Sequence, residues 1–245
     1  MDSIYTRRVI HGHEIYSAHL SETRTIKVYL PPGYRDDARY PVLYCHDGNE
    51  FLSHGRLATL TTQGILEGKL RPFLIVVLPV HLQHRTDDYA PDGVRSTAYS
   101  DFVATECMPF VERTYPVISD SGHRAMAGIS LGAAASLQLH LRHPGLFGHM
   151  LLFSGAYYDT LQTNWAQSPR LEPLRVWMVV GRQETAVDTP RGRVDFVLLN
   201  RMARDQLTNR GVEVDYREDD GTHLWGFWQS WIPSALQWLD GHLFQ

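Results

Sequence analysis

One pentapeptide in this chain has the makings of covalent chemistry: Gly128-Ile129-Ser130-Leu131-Gly132, set between "RAMAG" and the alanine-rich run "LGAAASLQLHLR". A serine held between glycines is either a tight structural turn or a raised nucleophile. Composition alone would produce the bare pattern roughly 0.08 times per chain of this kind, which makes it only moderately informative. Its context decides. "RAMAG" reads as a short strand and the following run as a strong helix former, so Ser130 falls on a strand-to-helix bend. Such a bend forces strained backbone angles, and larger side chains in place of the glycines would collide with neighbouring elements. The serine hydroxyl then stands above the C-terminal edge of a sheet, beside the free N–H groups of a helix N-terminus.

A serine hydroxyl needs a base to become a nucleophile. In a strand-to-helix arrangement of this kind the chain order is serine, acid, histidine. "YREDDGTHLWGFW" accordingly places His223 in the loop behind the last strand, with Gly221 letting that loop bend back. The acid belongs after the preceding strand, "RVWMVVG", where the sequence reads "GRQETAVD". Glu184 lies nearer the strand end and is preferred, with Asp188 as the alternative. Either would take the imidazole N–H, fix its tautomer and stabilise the imidazolium. The developing oxyanion calls for two backbone N–H groups. One is that of Leu131; the other comes from "HDGNEF" after "PVLYC", at Asn49 or its neighbour. A histidine base also predicts activity that rises with pH as the imidazole loses its proton.

Around these residues the sequence offers fewer handles. "HLQHRTDDYAPDG" is too polar for a core and follows a strand C-terminus, so Arg85 and Tyr89 are candidate substrate contacts. A salt bridge from Arg85 to Asp87 or Asp88 is an equal reading. Of Trp225, Phe227, Trp228 and Trp231, which follow the histidine at helical spacing, most read as core and Trp225 is the candidate for pocket lining. No metal or cofactor is expected: "HGH" at 11–13 lacks a third ligand, and His46 and Asp47, adjacent in a strand, point to opposite faces.

The elements that must hold these residues can be read in order. The first forty residues alternate like antiparallel strands, with Ile26, Val28 and Leu30 on one face. "PVLYC" and "FLIVVLPV" are continuous apolar runs, as in strands covered on both sides. Further strands are predicted at "RAMAG", "MLLFSGA", "RVWMVVG" and "VEVDYRE". Helices are predicted over 99–115, 131–142, about 193–208, and in "WQSWIPSALQWLDGHL" with Pro233 near its first turns. Strands alternating with helices after an antiparallel start imply an α/β fold whose mostly parallel sheet carries helices on both faces. Nothing between the units looks like a hinge, so residues 1–245 are expected to form one domain.

Composition excludes several classes. A net charge of −4 and only 23 Lys and Arg leave no basic footprint for nucleic acid. The longest apolar run, "FLIVVLPV", is far too short to span a bilayer, and the first residues show no signal-peptide pattern. Two cysteines, one in a predicted strand and one in a predicted helix, suggest a reducing, cytoplasmic setting. Oligomeric state is not readable.

Taken together, "RTIKVYLPPGY", "YPVLYCHDG", "RTDDYAP", "MPFVERTYPV", "RAMAGISLGAAASL", "RHPGLFGHMLLFSGA", "GRQE" and "GTHLWGFW" run in family order over nearly the whole chain. They resemble the "putative esterase" branch of the α/β-hydrolases, which contains enterochelin-type siderophore esterases, feruloyl esterases, S-formylglutathione hydrolases and mycolyltransferases. The resemblance implies an α/β-hydrolase fold and a cofactor-free serine carboxylic-ester hydrolase acting on a small-molecule ester. Ser130 would be nucleophile, His223 base, and the Glu184 position the acid, where relatives often carry Asp. Ala133 stands where many relatives have a further glycine. Siderophore esterases often carry an additional N-terminal domain, so the resemblance alone does not imply that subfamily's substrate. An acyltransferase using the same residues, an enterochelin-type hydrolase and a non-catalytic binding module are the rival expectations.

Overall fold

The computed structural model describes residues 8–167 and 173–244. It begins with the antiparallel pair β1 (Val9–Ser17) and β2 (Glu22–Leu30), followed by β3 (Val42–Cys45). Helices α1 (Gly48–Ser53) and α2 (Leu57–Leu66) lead to β4 (Leu74–Val77). Then come α3 (Arg85–Tyr89) and a long helix in three parts: α4 (Ser96–Asp101), a π-helical stretch (Phe102–Cys107) and α5 (Met108–Thr114). Next are β5 (Arg124–Ile129), α6 (Leu131–Arg142), β6 (His149–Phe153), α7 (Asp159–Gln167) and β7 (Arg175–Gly181). A small hairpin, β8 (Val187–Thr189) and β9 (Gly192–Val194), precedes α8 (Phe196–Thr208), β10 (Glu213–Asp219) and α9 (Trp225–Leu243).

Eight strands make one sheet in the order β1-β2-β4-β3-β5-β6-β7-β10, parallel from β4 to β10. The buried runs behave as fully covered strands do. In β3, Val42 and Tyr44 enter one core layer while Leu43 and Cys45 enter the other. Side chains alternate across the pleat, and helices on both faces leave neither layer to water. One layer lies under α3 to α8, and the other under α1, α2 and α9. The expected α/β-hydrolase architecture is therefore present.

Two helix starts differ from the sequence reading. The helix expected from about residue 193 starts at Phe196, because 192–194 belong to β9 and the Asp195 side chain caps the helix by accepting the Leu198 N–H at 2.9 Å. The last helix starts three residues earlier than "WQSW", at Trp225, which leaves Pro233 in its interior rather than its first turns. The "HGH" segment lies on β1, where His11 Nδ1 and His13 Nε2 both meet the Tyr115 hydroxyl, at 3.0 and 2.6 Å.

Candidate active site

Ser130 sits between β5 and α6 with φ 54° and ψ −120°, a backbone conformation costly for any residue with a Cβ. The surroundings enforce it. The Ser130 N–H donates to the Phe153 carbonyl on β6 at 2.9 Å, and the Ser130 carbonyl accepts from Ala156 N–H at 3.0 Å. At Gly128 an added Cβ would lie 2.2 Å from the Gly132 carbonyl oxygen, so strand and helix can cross this tightly only without a side chain there. A Cβ at Gly132 would lie 2.7 Å from Asp47 Oδ2, which brings the loop after β3 directly against the start of α6.

The loops after β7 and β10 bring Glu184 and His223 to the serine. Arg182 N–H donates to the Asp219 carbonyl at 2.7 Å and Gln183 N–H to the Gly221 carbonyl at 3.1 Å, tying the two loops together. Ser130 Oγ lies 2.9 Å from His223 Nε2, and His223 Nδ1 lies 2.6 Å from Glu184 Oε2. Glu184 is fully buried, and its other oxygen accepts from Gly181 N–H and the Ser154 hydroxyl, both at 2.8 Å. This pattern puts the ring proton on Nδ1, leaving Nε2 to accept from the serine hydroxyl. The imidazole is wedged between two aromatic rings: Phe196 at 4.0 Å between centroids, and Trp228 edge-on at 4.9 Å. Trp228 in turn donates its indole N–H to Ser154 Oγ at 2.8 Å.

Asp188 lies elsewhere. It is exposed on β8 and lines the cleft wall instead of approaching His223. A glutamate at position 184 is long enough to fold back, so that one oxygen caps the end of its own strand and the other reaches the imidazole.

The loop after β3 is held by a buried clamp. Asp47 adopts left-handed angles, φ 51° and ψ 44°. Its N–H donates to the Tyr89 hydroxyl at 3.1 Å, and its carboxylate receives Arg85 Nε and Nη2 at 2.8 and 2.9 Å. Burial works against the Arg85 charge, but Asp47 more than offsets it and holds the guanidinium protonated above the ordinary range. The sequence reading is corrected here on two counts. Arg85 pairs with Asp47 rather than Asp87 or Asp88, while Asp88 is taken by Arg24 and Arg95. Tyr89, 1% exposed, stands behind the cleft and braces the loop rather than facing a substrate. His46, also fully buried, shares Ser136 Oγ at 3.0 Å; burial and the Arg85 charge push it down to about 3, so it stays neutral.

Asp47 N–H and Gly48 N–H are occupied, by Tyr89 and by the Leu78 carbonyl. Asn49 and Glu50 occupy the first turn of α1, where backbone N–H groups lack intrahelical partners, as does Leu131 in the first turn of α6. The Asn49 side chain turns outward and accepts from Lys27 Nζ at 2.8 Å.

Two cavities meet at Ser130, His223 and Arg85. One, of about 310 Å³, is walled by Val80, Leu82, Ile129, Trp225 and Trp228, with Asp47 and Glu50 at one side. The second, of about 240 Å³, is bounded by Thr86, Leu131, Tyr158 and residues 187–191 of the hairpin. Trp225 is thus on the cleft, as its sequence position suggested. Ser154, Phe196 and the hairpin wall escaped the sequence reading; the positive φ of 43° at Ser154 leaves no mark in "LLFSGA" beyond the serine–glycine pair. Among the described residues, no three His, Cys, Asp or Glu side chains cluster as a metal site.

The esterase family model, described as "Putative esterase", matches residues 17–239. The chain is 30% identical over 226 residues to the "Uncharacterized protein YjcH" of Bacillus subtilis (strain 168), covering 91% of this chain and 94% of that one. A ferulic acid esterase structure superposes with a TM-score of 0.80 at 20% identity, covering 97% of this chain and 99% of that one. The enterochelin esterase of Shigella flexneri superposes with a TM-score of 0.82 at 21% identity, covering 96% of this chain but 59% of that one. With the family model spanning nearly all of the sheet and every loop that meets at Ser130, this chain belongs to that esterase family and is an ester-hydrolysing enzyme.

Proposed function

We propose that the protein hydrolyses carboxylic esters through a Ser130–His223–Glu184 triad and an acyl-enzyme intermediate. The observation that carries this reading is the unbroken hydrogen-bond chain from Ser130 Oγ through the imidazole to a buried carboxylate. As Ser130 Oγ attacks the ester carbonyl, His223 Nε2 takes its proton. The imidazolium is held by Glu184 Oε2 at Nδ1, and it then protonates the departing alcohol. Water repeats the sequence on the acyl-enzyme. The tetrahedral oxyanion is met by Leu131 N–H and by a backbone N–H at Asn49 or Glu50. The 310 Å³ lobe, with Trp225 in its wall, suits a flat or apolar group on one side of the scissile bond. The continuous eight-stranded sheet supports reading residues 1–245 as one catalytic domain.

The test pairs fluorophosphonate labelling with turnover of p-nitrophenyl acetate, on the wild type and on Ser130→Ala. Labelling and turnover that both vanish in the variant support the reading. A wild type that neither labels nor turns over would overturn the triad reading.

A further inference from the structure

The second lobe of the cleft has two walls from distant parts of the chain. One is α3, through Arg85 and Thr86; the other is the β8–β9 hairpin, through residues 187–191. The hairpin is separate from the main sheet, since its strands pair only with each other. Val187 and Val194 at its base pack on the core. Its turn is braced internally by Thr189, whose hydroxyl donates to the Gly192 carbonyl at 2.8 Å and accepts from Arg191 N–H at 3.1 Å.

Among the described residues, the turn has one hydrogen-bonded tie to the opposite wall. Arg191 Nη1 and Nη2 bind Asp92 Oδ2 and Oδ1 at 3.0 and 2.6 Å, and Asp92 lies just beyond α3. The same guanidinium sits 5.1 Å from the centroid of Tyr158, which lines the lobe. The Arg191 hydrogen bonds hold the Asp92 carboxyl below its usual range, so both partners keep their charges. A two-point, planar pairing of this type fixes direction as well as distance.

We propose that the Arg191–Asp92 pair is a latch setting the width of this lobe, which makes Arg191 the specificity-determining residue for the size of the ester group lodged there. The inference rests on the hydrolase reading. Both partners are solvent-exposed, with side chains 34% and 43% accessible, and such pairs are weak and screened by salt. A latch of that strength changes the balance between a narrow and a wide lobe by up to about fivefold. Bulky groups on one side of the scissile bond would therefore be disfavoured by up to that factor, and small ones not at all.

Asp92→Ala tests this, because Asp92 is outside the lobe lining and its loss releases Arg191 without removing a wall. The substrates are two ester series, one enlarging the acyl group from acetyl to aromatic acyl, the other enlarging the alcohol. In the expected result, p-nitrophenyl acetate turnover is unchanged, and kcat/KM for the bulky members of one series rises by up to about fivefold at low salt. Wild type approaches the variant in molar salt, and the series that responds identifies which half of the ester occupies the lobe. The exchanged pair Asp92→Arg with Arg191→Asp should restore discrimination. A wild type active on p-nitrophenyl acetate, with Asp92→Ala showing the same size profile in both series, would overturn the latch alone. A wild type inactive on that ester would overturn the hydrolase reading and the latch with it.

Discussion

Glu184 uses both of its oxygens, and they do different things: one closes the end of β7 and the other holds the imidazole. Glu184→Gln would offer an amide to a ring that needs an acceptor, favouring the wrong tautomer. Its kcat should fall on the order of 10³- to 10⁴-fold with little loss of stability, whereas Asp188→Asn should leave turnover unchanged. Comparing the two variants with one ester separates the candidates. The meeting of Ser130, His223 and Glu184 was legible because each stands at a strand end in a fixed order. Ser154 was not, because its role depends on a positive φ and on an indole that approaches from α9. Tyr89 was misread for a related reason: a tyrosine beside acidic residues in a polar stretch looks exposed until the Asp47 amide is found on its hydroxyl.

At the scale of elements, the short loop between β3 and α1 matters most. Its left-handed Asp47 is tied by Arg85 and Tyr89 of α3 and abuts Gly132 of α6, so α3 positions the N–H groups of α1 relative to Ser130. Arg85→Ala should therefore lower kcat by about 10²-fold, more than it raises KM, since small misplacements of catalytic groups cost about that much. Steady-state kinetics with two esters of different size would check the split. Gly128→Ala should be far more damaging to the fold, because its Cβ would meet backbone 2.2 Å away; reduced soluble yield and a lowered Tm are expected. The interior parallel strands were readable as largely apolar runs, and the edge strand β10 by its alternation of apolar and polar residues. The β8–β9 hairpin was not, since strands of three residues with polar alternation carry no periodicity above that of a loop.

For the whole molecule, buried neutral histidines make stability depend on pH. Burial, aided by neighbouring charge at His46 and His149, pushes His46 down to about 3 and His140 and His149 to about 4. Their unfolded forms bind protons below about pH 6.5, while the folded forms do not until pH 3 to 4. The unfolded state therefore binds more protons across that window, and stability falls as pH drops from about 6.5 toward 4. Melting curves at pH 7.5, 6 and 5 should show this as a progressive loss of Tm. His140→Leu should flatten the slope by removing one of these proton-linked groups, and among the described residues neither nitrogen of His140 has a hydrogen-bond partner to lose. The sheet that creates this burial was visible in the sequence; which histidines it would enclose depended on packing between α6, β3 and β6 that no local pattern records.

The edge-on stack of Trp228 against His223 has an optical consequence. An imidazolium is a stronger quencher of indole emission than a neutral imidazole, and in the proposed mechanism the positive charge on His223 forms with its ring centroid 4.9 Å from that of this indole. The protein thus contains its own fluorophore at the proposed reacting centre. Stopped-flow emission, with Trp228→Phe as the blank against the other five tryptophans, would time the appearance and decay of that charge without any labelled substrate.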